Sequence, residues 1–141
     1  MVLPFERTIT SEEETADIAR EFSTIIEYGD VILLNGNLGA GKTFFVKAVC
    51  SEYGIGNVSS PSFAIVNEYS GTKKINHFDF YRIRKVRELY DIGFTEYLND
   101  ESITFIEWAD LYPEVAPSKY YKVEIRYLDE PSRKIILTKN E

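Results

Sequence analysis

The chain has 141 residues with a formal net charge of −7, 44% hydrophobic and 28% charged. That length buries a core without staples, and the composition is that of a water-soluble globular chain, expected to be one domain over residues 1–141. The acidic total argues against a protein that grips RNA or DNA alone, and a single cysteine, Cys50, excludes an internal disulfide. No apolar run approaches the roughly 18 residues of a membrane span. The N-terminus has neither the basic nor the apolar region of a signal peptide, so the cytoplasm is the expected compartment.

Taken in order, Phe5–Ile9 alternates weakly and reads as a first strand. Ser11-Glu12-Glu13-Glu14 has the form of a capping box, with acids in the first turn where the helix dipole favours them. Ile18, Phe22, Ile25 and Ile26 follow at helical spacing, which predicts a helix from Ser11 to Glu27 stopped by Gly29-Asp30.

Val31-Ile32-Leu33-Leu34 then reads as a strand buried on both faces. Behind it come Gly36-Asn37-Leu38-Gly39-Ala40-Gly41-Lys42-Thr43 and the apolar helical run Phe44–Val49. Strand, glycine loop and helix are the context that a phosphate-binding P-loop requires. Successive N–H groups of the loop point at a polyphosphate, and the helix dipole adds to the same place. Lys42 brings a mobile charge for the β- and γ-phosphates, and the Thr43 hydroxyl is placed to ligate Mg²⁺. Asn37, Leu38, Gly39, Ala40, Gly41, Lys42 and Thr43 are therefore the expected nucleotide-binding residues.

After a turn at Gly54–Asn57, the hydroxyl-rich stretch Val58-Ser59-Ser60-Pro61-Ser62 reads as a loop. Ser59, Ser60 and Ser62 are placed where loop NTPases keep a segment that senses the γ-phosphate. Phe63–Tyr69 and Lys74–Phe80 predict an antiparallel hairpin through Ser70-Gly71-Thr72. Val86–Leu98 is predicted helical with a break at Gly93, and Ser102–Ile106 is a buried strand ending at Glu107-Trp108. A last hairpin joins Tyr120–Arg126 to Arg133–Thr138.

Hydrolysis needs a second carboxylate for the metal and a group that orients water. Two acids compete for the metal, Glu107 closing an apolar strand and Asp79 in a more polar one; the burial pattern favours Glu107 beside Thr43, and Asp79 then orients water or a switch loop. Lys42, Asp79 and Glu107 form the expected catalytic set. His77 reads as a strand residue rather than a general base. Trp108 is read either as a base- or partner-stacking ring or as a partly buried rim residue. Six basic residues between Lys73 and Arg87, among them Arg82, stand against one acid, Asp79, and either face a phosphate or acidic partner or form a solvated edge.

These pieces resemble the TsaE (YjeE) family of bacterial ATPases. The resemblance rests on the loop Gly36–Thr43, on Val58-Ser59-Ser60-Pro61-Ser62-Phe63, on His77-Phe78-Asp79-Phe80-Tyr81-Arg82 and on Glu107-Trp108. Asn37 stands where the family usually has an acid, Ser62 where it has Thr, and Ala109 where Pro often follows the Trp. The family implies a P-loop NTPase-like three-layer α/β fold, with a central mixed sheet flanked by helices and antiparallel hairpins. It also implies a Mg²⁺-dependent ATPase that works with TsaB and TsaD. The product is the threonylcarbamoyl group on the adenosine beside the anticodon of tRNAs reading codons that begin with A. The tRNA would be held mainly by those partners. By the same resemblance, Ser11 and Arg133 contact the nucleotide. Two other readings stay open: a nucleotide-gated adaptor that does not hydrolyse, and a small-molecule kinase, which the Phe63–Phe80 hairpin weakens.

Overall fold

The computed structural model describes residues 1–37, 39–61 and 64–141. Among the described residues seven strands form one mixed sheet in the order β1-β7-β6-β2-β5-β4-β3. The strands are β1 (Phe5–Ile9), β2 (Val31–Asn35), β3 (Val66–Ser70), β4 (Lys74–Asp79), β5 (Ile103–Glu107), β6 (Tyr120–Asp129) and β7 (Ser132–Asn140). The inner strands β6, β2, β5 and β4 run parallel, while β1·β7, β7·β6 and β3·β4 are antiparallel. This is the expected mixed sheet with hairpins at its margins. Among the described residues no helix is long and apolar enough to cross a membrane.

The apolar run of β2 is divided between the two faces by strand alternation. Ile32 and Leu34 join a core with Ile18, Phe22, Phe45 and Val49 from α1 (Glu12–Ser23) and α2 (Lys42–Glu52). Val31 and Leu33 join a second core on the other face with Phe78, Leu89 and Phe94. Each fully buried Phe or Leu contributes about 1.5–3 kcal/mol of transfer free energy, so both faces hold the central strand in place. Phe22 and Phe45 meet at 5.8 Å between ring centroids, fixing α1 against α2.

Local signals set most boundaries. Ser11 Oγ accepts from the Glu14 N–H at 3.2 Å, the cap that the sequence announces. The return contact goes one residue further back, with the Glu14 carboxylate accepting from the Thr10 N–H at 3.2 Å. Helix α1 ends at Ser23, four residues short of the expected Glu27, because the Thr24 hydroxyl and N–H both turn back to the Glu21 carbonyl. The stretch after Val86 divides at Gly93 into α3 (Arg87–Asp91) and α4 (Phe94–Tyr97). Strand β3 begins at Val66, later than expected, and Phe63 lies outside the described residues. The last hairpin is longer than expected at both strands, since backbone pairing continues past the apolar positions to its tip.

The β3–β4 hairpin is tied to the end of α2, where the Thr72 N–H donates to the Tyr53 carbonyl at 2.8 Å. A Cβ on Gly71 would stand 2.1 Å from that same carbonyl oxygen. Gly71→Ala is therefore expected to push the hairpin off α2 and to lower stability by about 1–3 kcal/mol. The check is a lower urea midpoint with an unchanged slope.

Candidate nucleotide and metal site

The site lies where the inner parallel strands end. Register places Leu34 beside Glu107 and Asp79 beside Glu107, so the loop after β2 and both carboxylates stand at one level of the sheet. Ile75, His77 and Asp79 alternate to one face of β4, and Ile75 belongs to the core under α1 and α2. Crevices at the carboxyl ends of parallel strands are where open α/β sheets bind ligands.

The loop itself presses against β6. A Cβ on Gly36 would lie 2.5 Å from the Ile125 carbonyl oxygen, so this position must be glycine for the chain to pass. Helix α2 opens at Lys42 with Gly41 as its N-cap and no side-chain cap, which leaves its first N–H groups to a ligand. Lys42 is buried, and its Nζ donates to the Gly36 carbonyl at 2.5 Å and the Asn37 carbonyl at 3.1 Å. Burial pushes its ammonium below the usual lysine range, while the charges of Glu107, Asp79 and Asp110 oppose that shift.

Thr43 Oγ1 lies 2.9 Å and 3.1 Å from the two Glu107 carboxylate oxygens and donates its proton to that group. Glu107 is buried and also meets His77 Nε2 at 2.6 Å. Asp79 accepts from the Tyr81 N–H at 2.9 Å and from Ser60 Oγ at 3.2 Å. Burial pushes the Asp79 carboxyl above its usual range, the Glu107 charge adds to this, and the hydrogen bonds from Tyr81 and Ser60 oppose it. Thr43 and Glu107 are hard oxygen donors of the kind that hold Mg²⁺ together with substrate phosphates.

Trp108 follows Glu107 with φ +61°, a left-handed conformation that costs a non-glycine residue about 1–3 kcal/mol. That turn lays its ring over Lys42 Nζ at 4.1 Å and against Tyr81 at 4.9 Å between centroids. The hydroxyl loop is tethered from behind. The Tyr69 hydroxyl donates to the Ser59 carbonyl at 3.0 Å and accepts from the Ser59 N–H at 3.2 Å. Leu38 and Ser62 lie outside the described residues. The Arg82 side chain is exposed.

Ser11 and Arg133, far apart in sequence, line one cavity of about 260 Å³ with Gly39, Gly41, Phe44 and Pro131. The cause is the β1·β7 register, which pairs Ile9 with Arg133 and brings the start of α1 to the same edge of the loop. Arg133 also reaches Glu130 at 3.1 Å and stacks on the Tyr127 ring at 4.5 Å. The Glu130 partner is exposed, and such surface pairs hold weakly. His77, Phe44 and Tyr69 are site residues that local sequence does not mark. For His77 the available signal was its parity with Asp79 on a strand entering the site.

A P-loop NTPase-like nucleotide-binding protein is the class that this fold and loop define. The family model described as "Threonylcarbamoyl adenosine biosynthesis protein TsaE" matches residues 9–135. The chain belongs to the TsaE family, whose role lies in tRNA threonylcarbamoyladenosine biosynthesis. It is 36% identical over 130 residues to the tRNA threonylcarbamoyladenosine biosynthesis protein TsaE of Rickettsia prowazekii, covering 89% of each chain. The protein of the same description from Aquifex aeolicus is 37% identical over 139 residues, covering 96% of each. The crystal structure of Bacillus subtilis YdiB is similar with a TM-score of 0.78 at 29% identity, covering 99% of this chain and 87% of that one.

Proposed function

We propose that this chain is a cytoplasmic Mg²⁺-dependent ATPase, one domain over residues 1–141, acting with TsaB and TsaD to form the threonylcarbamoyl group on tRNA. One juxtaposition carries the reading: the Thr43 hydroxyl is hydrogen-bonded to the buried Glu107 carboxylate, with Asp79 beside it in register. In this reading the loop N–H groups and Lys42 bind the phosphates. Thr43 and Glu107 hold the metal, which when bound polarises the phosphoryl oxygens. Asp79, opposite Glu107 on the neighbouring strand, orients the attacking water and reports to the hydroxyl loop through Ser60. The cavity between Ser11, Phe44 and Arg133 takes the adenosine end.

The acidic chain leaves the tRNA to its partners. Measuring ADP formed from ATP by the purified chain, with and without the partners, tests the proposal. Mg²⁺-dependent ADP formation is the expected result. ATP recovered intact under every condition would overturn the proposal in favour of a nucleotide-gated adaptor, or of a kinase if an added acceptor then restores ADP formation.

A further inference from the structure

We propose that His77 is the positioning residue for Glu107, holding its carboxylate in the orientation in which it serves the metal beside Thr43. The inference rests on the reading of Thr43 and Glu107 as the metal's protein oxygens. A carboxylate with 3% exposure needs a donor on each side to stay in place. Thr43 donates from the loop side, and His77 Nε2 stands at 2.6 Å on the sheet side. The geometry is rigid because His77 has 0% exposure and is paired in the sheet between Asn67 of β3 and Phe105 of β5.

The imidazole is a poor filler at this position. Its Nδ1 is buried without a hydrogen-bond partner among the described residues, and an apolar side chain of the same size would strand nothing. What the imidazole adds is the donor at Nε2. Partners of this kind, one step behind a metal's ligands, characteristically change metal affinity about 10–100-fold when removed.

The test uses His77→Leu, His77→Asn and His77→Gln in the full chain. A Gln amide nitrogen reaches the position of Nε2, whereas an Asn amide reaches only that of Nδ1. ATP affinity is measured by calorimetry in EDTA and across a Mg²⁺ titration. The Leu and Asn variants are expected to need about 10–100-fold more Mg²⁺ for half of the metal-dependent gain in affinity. The Gln variant is expected to return to within about threefold of the parent chain, and ATP affinity in EDTA to stay the same in all four proteins. If the Leu variant fails to fold, the Gln and Asn pair, which differ only in reach, decide the matter. An unchanged Mg²⁺ requirement in the Asn variant would overturn the inference, as would equal losses of affinity with and without Mg²⁺. A parent chain that binds ATP no tighter with Mg²⁺ than in EDTA would overturn the metal reading itself, and this inference with it.

Discussion

ADP formation by this chain is expected to rise about 10³–10⁵-fold when TsaB and TsaD are added, with little change in ATP affinity. Phosphoryl transfer needs a phosphate cradle, a metal, a group that orients water and a charge that offsets the negative charge developing on the transferring group. Gly36–Thr43, Thr43 with Glu107, and Asp79 are the candidates for the first three. For the fourth, Arg133 is engaged with Glu130 and the Tyr127 ring, and Arg82 is exposed two residues past Phe80. A partner that brings a cation, or that orders Ser59–Ser60 over Asp79, completes the set. Full-rate hydrolysis by the isolated chain, indifferent to partners, would contradict this expectation.

Asp79→Asn is expected to lower kcat about 10²–10⁴-fold while leaving ATP affinity nearly intact, the range that a positioned acid or base contributes. Its amide oxygen still accepts from the Tyr81 N–H and its amide nitrogen donates to Ser60 Oγ instead of accepting from it, so the local turn survives. Glu107→Gln is expected to act differently, raising the Mg²⁺ needed for tight ATP binding because the carboxylate beside Thr43 loses its charge. Single-turnover hydrolysis and a Mg²⁺ titration on both variants separate the two roles. The reverse ranking would exchange the assignments of the two acids.

Much of this architecture is legible in local sequence. The strand–loop–helix unit from Val31 to Val49, the Ser11 cap, the break at Gly93 and the β3–β4 turn each follow from chemistry within a few residues. What is not legible depends on register between distant strands. Nothing near Ile9 or Arg133 states that they pair, yet that pairing brings Ser11 and Arg133 to one cavity. The insertion of β7 and β6 between β1 and β2 is equally invisible, because backbone ladders leave no signature in the side chains.

His77 reads as a plain strand residue for the same reason. Alternation puts it on the face of Asp79, but only the parallel pairing of β4 with β5, which sets His77 opposite Phe105 and Asp79 opposite Glu107, brings its Nε2 to the Glu107 carboxylate. The left-handed turn at Trp108 had no local signal at all, since glycine or asparagine is the residue such a conformation usually announces.

The central claim is that the Gly36–Thr43 loop binds the phosphates of ATP through Lys42. Calorimetric titration of ATP with Mg²⁺ into the parent chain and Lys42→Ala tests it most directly, with a thermal melt to verify that the variant stays folded without its contact to Trp108. Loss of a charge-assisted phosphate contact is expected to cost roughly 1.5–3 kcal/mol, about one to two decades in Kd. A folded Lys42→Ala chain that binds ATP as tightly as the parent would contradict the account.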